Sequence, residues 1–97
     1  MLLGKVVGTV VATRKDEKLA GLTFLVVQVH DVTNKPANTY VVAVDSVGAG
    51  VGEMVLYATG SSARQTSSTK DRPVDAVIMA IVDTWSMGDT TIFSKDD

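Results

Sequence analysis

Residues 45–53 read Asp45-Ser46-Val47-Gly48-Ala49-Gly50-Val51-Gly52-Glu53, with three glycines at alternate positions directly after an apolar run. Two kinds of fold compete for this stretch. A dinucleotide-binding α/β unit needs G-x-G-x-x-G between a strand and a helix, so that the helix N-terminus faces the pyrophosphate. Here the glycines stand at Gly48, Gly50 and Gly52, and the run that follows, Glu53-Met54-Val55-Leu56-Tyr57, has β character. The Gly-Lys-Ser/Thr ending of a phosphate loop is absent. Glycine also tolerates positive φ and lets another backbone come close. The loop therefore reads as a strand–turn–strand corner, a contact device and not a phosphate cradle.

The flanking sequence agrees. Short runs rich in Val, Ile and Thr, bounded by turn residues, predict strands near Leu2–Thr13, Leu22–Asp31, Thr39–Val47, Glu53–Thr59 and Asp75–Thr84, with a sixth short one at Thr90–Phe93. Between them lie a charged connector, Arg14–Gly21, and a turn, Val32–Asn38, with Asn-Lys-Pro chemistry. Ser61–Gln65 suits a helical turn capped by Ser61 or Ser62. Thr66–Arg72 is polar and expected to be a mobile loop. No helix of βαβ length interrupts the strands. The expected fold is all-β: one five-stranded barrel over residues 1–97, with a tail from about residue 86.

The faces of the strands carry a second message. A small barrel with a solvated outer wall needs strands that alternate apolar and polar. In Leu22–His30, Leu22, Phe24 and Val26 share one face, and Leu25, Val27 and Val29 share the other. In Asp75–Asp83, Val77, Met79 and Ile81 oppose Ala76, Ile78, Ala80 and Val82. One face fills the barrel. The other needs a cover, supplied either by identical copies or by the chain's own short helix and tail. With 97 residues, 45% of them hydrophobic, little chain remains for the second solution. We read the pattern as self-association.

Composition narrows the function. Nine basic and eleven acidic side chains give a net charge of −2, with no basic run to hold a nucleic acid backbone. The five aromatics, Phe24, Tyr40, Tyr57, Trp85 and Phe93, lack the basic interleaving of a single-strand-binding surface, so a nucleic-acid or small-ligand module is only the alternative reading. One histidine and no cysteine leave no metal-ligand cluster and no disulfide framework. No apolar run approaches the roughly 18 residues of a membrane span, and Met1–Lys15 reads as a first strand, not a leader. His30 and Asp31 are neighbours and point to opposite strand faces, which does not build a triad. Ser61 and Ser62 lack the second glycine of a nucleophile elbow. Asp45, Glu53, Asp75 and Asp83 read as solvated strand ends rather than an acid–base pair. Arg64 follows a turn of small residues and suits backbone-carbonyl contacts at an interface. No cofactor and no catalysis are expected.

Four segments occur here in a telling order: GKVVGTVVATRK, VAVDSVGAGVGEMVL, GSSARQ and PVDAVIMAIVDT. Together they resemble the EutN/CcmL family, the pentameric vertex proteins of bacterial microcompartment shells, from about Leu2 to Phe93. The resemblance implies a barrel similar to the oligonucleotide-binding fold, assembled as a homopentamer. It implies a structural role at the corners of a cytoplasmic polyhedral shell, beside hexameric and trimeric shell proteins, in a carboxysome or a catabolic compartment. It places Gly48, Ala49, Gly50, Gly52 and Glu53, and Gly60, Ser61, Ser62, Ala63 and Arg64, at subunit or shell contacts. Glu53 and Arg64, of opposite sign, or their neighbours, are expected to hydrogen-bond across that seam.

Overall fold

The structure is a computed structural model and describes residues 1–96. Five strands close a barrel: β1 (Leu2–Val10), β2 (Phe24–His30), β3 (Pro36–Asp45), β4 (Met54–Thr59) and β5 (Ala76–Ile81). Their order round the wall is β1-β2-β3-β5-β4, with β4 returning to β1. All neighbours are antiparallel except β3 and β5, which touch in parallel only at Val44↔Val77 and Asp45↔Ile78. A hairpin of β6 (Thr84–Met87) and β7 (Thr90–Ser94) forms a separate two-stranded sheet. Short 3₁₀ turns occupy Glu17–Leu19 and Gly60–Arg64.

The barrel interior is filled from alternate positions of every strand. Val6, Leu25, Val27, Ala43, Val55, Tyr57, Ala76 and Ile78 form one buried cluster. Tyr57 is the largest of these, and β1 makes room for it with Gly4, which is itself buried. A Cβ on Gly4 would lie 2.8 Å from the Gln28 carbonyl and 3.1 Å from the Tyr57 ring. Burial also pushes the Tyr57 phenol upward, because the ionised form loses its hydration.

A second buried cluster sits outside the barrel wall. Val44, Ala58 and Val77 point outward and are covered by Ala63 of the second 3₁₀ turn and by Val74, with Leu19, Leu22, Phe24 and Met79 around them. The chain thus caps part of its own outer wall. Of the two covers considered for the apolar outer faces, the helical turn supplies one locally.

Several elements differ from expectation; β1, for one, ends at Val10 and not Thr13. β3 begins at Pro36, inside the segment read as a turn. The turn is complete sooner because Asp31 Oδ1 accepts from Thr33 N (2.9 Å), Thr33 Oγ1 (2.6 Å) and Lys35 N (2.9 Å), while Asn34 takes a left-handed φ of 64°. Proline is acceptable as a first strand residue, where no donor is required of it. The strand expected to run to Thr84 ends at Ile81, and the chain then starts the hairpin, whose first strand was not foreseen. The Thr66–Arg72 loop is folded down rather than loose. Thr69 is fully buried, its hydroxyl lies 2.6 Å from that of Thr66, and Arg72 Nη1 donates to the carbonyls of Lys18 and Ala20.

Candidate functional site

The glycine corner answers its own question through its hydrogen bonds. A phosphate cradle works because successive backbone N–H groups stand free and converge. Here Asp45 Oδ1 accepts from the N–H of Val47 (3.1 Å), Gly48 (3.1 Å) and Ala49 (3.2 Å). Glu53 Oε1 accepts from Gly50 N at 2.7 Å. The donors are filled by the chain's own carboxylates, and those carboxylates would repel an anion. Gly48 and Gly52 adopt φ of 78° and 96°, where a side chain is strained. Gly50 has no such φ, and a Cβ there would meet only Glu53 Oε1, at 3.4 Å. Ala49 packs toward the barrel core, while Val47 and Val51 are exposed. The corner is a rigid, self-capped knob with two apolar side chains facing out.

The second segment is built differently. Gly60 turns the chain at a φ of 64°. Ser61 and Ser62 are exposed, and Ala63 is fully buried in the outer cluster of its own subunit. Arg64 Nη1 donates to the Val74 carbonyl at 3.0 Å, clamping the turn to the approach of β5. Glu53 and Arg64 are therefore both engaged within the chain. The one ion pair among the described residues is Lys95–Asp83 at 3.4 Å, on the surface.

The outer wall carries two apolar areas that the chain covers only in part. On the β1–β2–β3 side, pairing lines up Gly8↔Val26↔Val42 and Lys5↔Gln28↔Tyr40, all pointing outward. Val42 is 51% exposed and Tyr40 54%. On the other side, His30↔Leu3↔Leu56↔Ala80 run across β2, β1, β4 and β5. Leu3, His30 and Leu56 of this row, with Met1, Leu2, Val32, Val82 and Trp85, line an open groove of 610 Å³. Trp85 Nε1 donates to the Val32 carbonyl at 2.9 Å and its ring stacks on Phe93, so the hairpin root forms one bank of this groove. The two-faced strands are legible in the sequence, but not that Val42 and Tyr40 are the exposed members and Leu3 and Leu56 the half-buried ones. Tyr40–Val44 and Met54–Ala58 are apolar at every position, so periodicity alone does not tell which face stays open.

The remaining candidates disperse. His30 Nδ1 lies 2.9 Å from Asn34 Oδ1, and Asp31 serves its own turn. Asp45 and Glu53 cap the corner, and Asp83 pairs with Lys95. Asp75 is exposed beside Gly60, whose N–H its carbonyl accepts. Among the described residues, no group of three His, Asp or Glu side chains could hold a metal ion, and no helix is long and apolar enough to cross a membrane.

Comparison with known proteins places this geometry. A family model described as ethanolamine utilisation protein EutN/carboxysome matches residues 1–83, ending one residue before β6. The carboxysome shell vertex protein CcmL of Gloeobacter violaceus is 44% identical over 97 residues, covering 100% of this chain and 97% of that protein. Its solved structure superimposes with a TM-score of 0.96, covering 100% of both chains. The solved GrpN pentameric microcompartment shell protein of Rhodospirillum rubrum, 47% identical, gives a TM-score of 0.82, with 90% of this chain and 100% of that one covered. The microcompartment shell vertex protein EutN of Escherichia coli is 40% identical over 95 residues, 98% of this chain and 100% of that protein. With the barrel, the order of segments and the length all shared, the chain belongs to the EutN/CcmL family.

Proposed function

We propose that the chain is the subunit of a five-membered ring that occupies the corners of a bacterial microcompartment shell. Its work is geometric: flat sheets of hexameric tiles close into a polyhedron only where five-fold units sit at the vertices. Relatives at 40–49% identity carry the names of shell vertex proteins. The observation that carries the reading here is the pair of different apolar areas on different walls of one barrel. A head-to-tail ring needs two unlike, complementary surfaces per subunit, and the ring closes when the rotation between copies divides a full turn. The area at Val26, Val42 and Tyr40 is one such surface. The groove at Leu3, Leu56 and Trp85 is the other. The corner Gly48–Glu53 and the turn Gly60–Arg64 lie at subunit or tile contacts in this reading. The partners beyond the ring are hexameric and trimeric shell proteins, and no catalytic step is assigned.

Two substitutions test the pairing of surfaces. Val42→Asp and Leu56→Asp each place a carboxylate that must be desolvated at the seam, a costly burial without a partner. Each variant alone is expected to be a folded monomer. Mixed in equal amounts, each still offers the surface the other needs, so they form a dimer and stop there. Rings assembled by either variant alone, or no association on mixing, would contradict the assignment of these surfaces.

A further inference from the structure

The barrel closes unevenly. β3 is ten residues long, yet its contact with β5 covers only Val44 and Asp45. The rest of that same edge, from Pro36 to Ala43, has no strand paired with it among the described residues, while the opposite edge pairs with β2. Pro36 to Tyr40 are all exposed. An open strand edge is a template for another strand, and natural proteins leave few of them bare. Pro36 and the Gln28 amide, which donates to the Ala37 carbonyl at 2.9 Å, blunt only its first residues.

The hairpin has the complementary deficiency. β6 and β7 form a sheet of two strands, hydrogen-bonded to no strand of the barrel. A two-stranded sheet is marginal in water and gains independent stability from a third strand. Its root sits beside the β1–β4 wall, where Trp85 lines the groove with Leu3 and Leu56 and donates to the Val32 carbonyl, and Lys95 on Asp83 ties the two ends of the hairpin together. From there, the open edge of β3 is two strands away round the barrel. Donor and acceptor thus lie on different flanks of one subunit, as repeated head-to-tail contact requires. The donor also continues the groove surface assigned to the seam.

We propose that β7, Thr90–Ser94, of one copy adds to the open edge of β3 in the next copy, so that each seam of the ring carries a continuous intersubunit sheet. The inference rests on the ring reading above. Strand addition supplies backbone hydrogen bonds and register, while the apolar areas supply the driving force. It also gives the hairpin its third strand.

The chain has no cysteine, so introduced thiols are the only ones present. Asn38→Cys and Thr91→Cys place single thiols at exposed positions near the starts of β3 and β7. The two variants are co-expressed, purified as one population and treated with a short bismaleimide, whose reach tolerates a small register offset. The expected product is a covalent dimer in the mixed population and none in either variant alone. Ring-sized particles with no cross-link, or with links as frequent in the single variants, overturn strand addition and leave the ring standing. If the mixed population is monomeric by mass, the ring fails and strand addition fails with it.

Discussion

At the residue scale, single positions divide sharply by what surrounds them. Gly4 is fixed by space: any Cβ meets the Gln28 carbonyl and the Tyr57 ring inside a closed wall. Gly4→Ala is expected to destabilise the barrel by about 1–3 kcal/mol, as overpacking does, read from the urea midpoint. Gly52 is fixed by φ, at 96°, with open space around it. Gly52→Ala is expected to cost about 1–2 kcal/mol, whereas Gly50→Ala, free of that φ, should leave the unfolding midpoint unchanged. Equal effects at the two positions would contradict the conformational assignment. Asp31 is fixed by hydrogen bonds. The Thr33 hydroxyl first, then the Lys35 amide, hold its carboxyl below the usual carboxylate range. Because the folded value is the lower one, the turn's stabilisation is present above the ordinary value of about 3.9 and is lost as pH falls through the folded value. The amide resonances of Thr33 and Lys35 should therefore titrate with a midpoint below 3.9. A midpoint at or above it would show that these bonds do not form in solution.

Among the elements, legibility followed the local pattern. The five barrel strands could be read because β-branched runs broken by turn residues are a local signal. The corner at 45–53 could be read as non-nucleotide because no helix follows it. The start of β3 could not, because it depends on Asp31 gathering three donors across four residues, and Pro36 argued for a turn. β6 could not, because Thr84–Met87 is too short and mixed to signal a strand until β7 pairs with it. Of the contacts proposed above, the glycine corner and the Gly60–Arg64 turn stand out in the sequence by their small residues. It did not show that Ala63 would be spent on the subunit's own outer cluster, since that depends on Val44, Ala58 and Val77 meeting from three strands. The local cap makes a test possible at this scale. Val77 and Val42 both point outward, but Val77 is 0% exposed and Val42 is 51%. In the monomeric Leu56→Asp background, Val77→Ala should lose about 2 kcal/mol by urea unfolding, and Val42→Ala should change stability by less than about 0.5 kcal/mol. Similar losses at both would mean that the wall is capped along its whole length.

For the whole molecule, one fact organises the others: a 97-residue barrel cannot cover the apolar wall it builds. Part of that wall is sealed by the Gly60–Arg64 turn and Val74. The rest is left as two unlike surfaces, one on β2 and β3 and one across β1 and β4, with a hairpin standing beside the second. Identical copies satisfy both surfaces at once only in a closed ring. The most direct measurement is the mass of the unmodified protein by native mass spectrometry and sedimentation equilibrium across micromolar concentrations. A single species about five times the 10.2 kDa chain is expected. A particle of 10.2 kDa at every concentration, with Val42 and Tyr40 left in water, would contradict the ring.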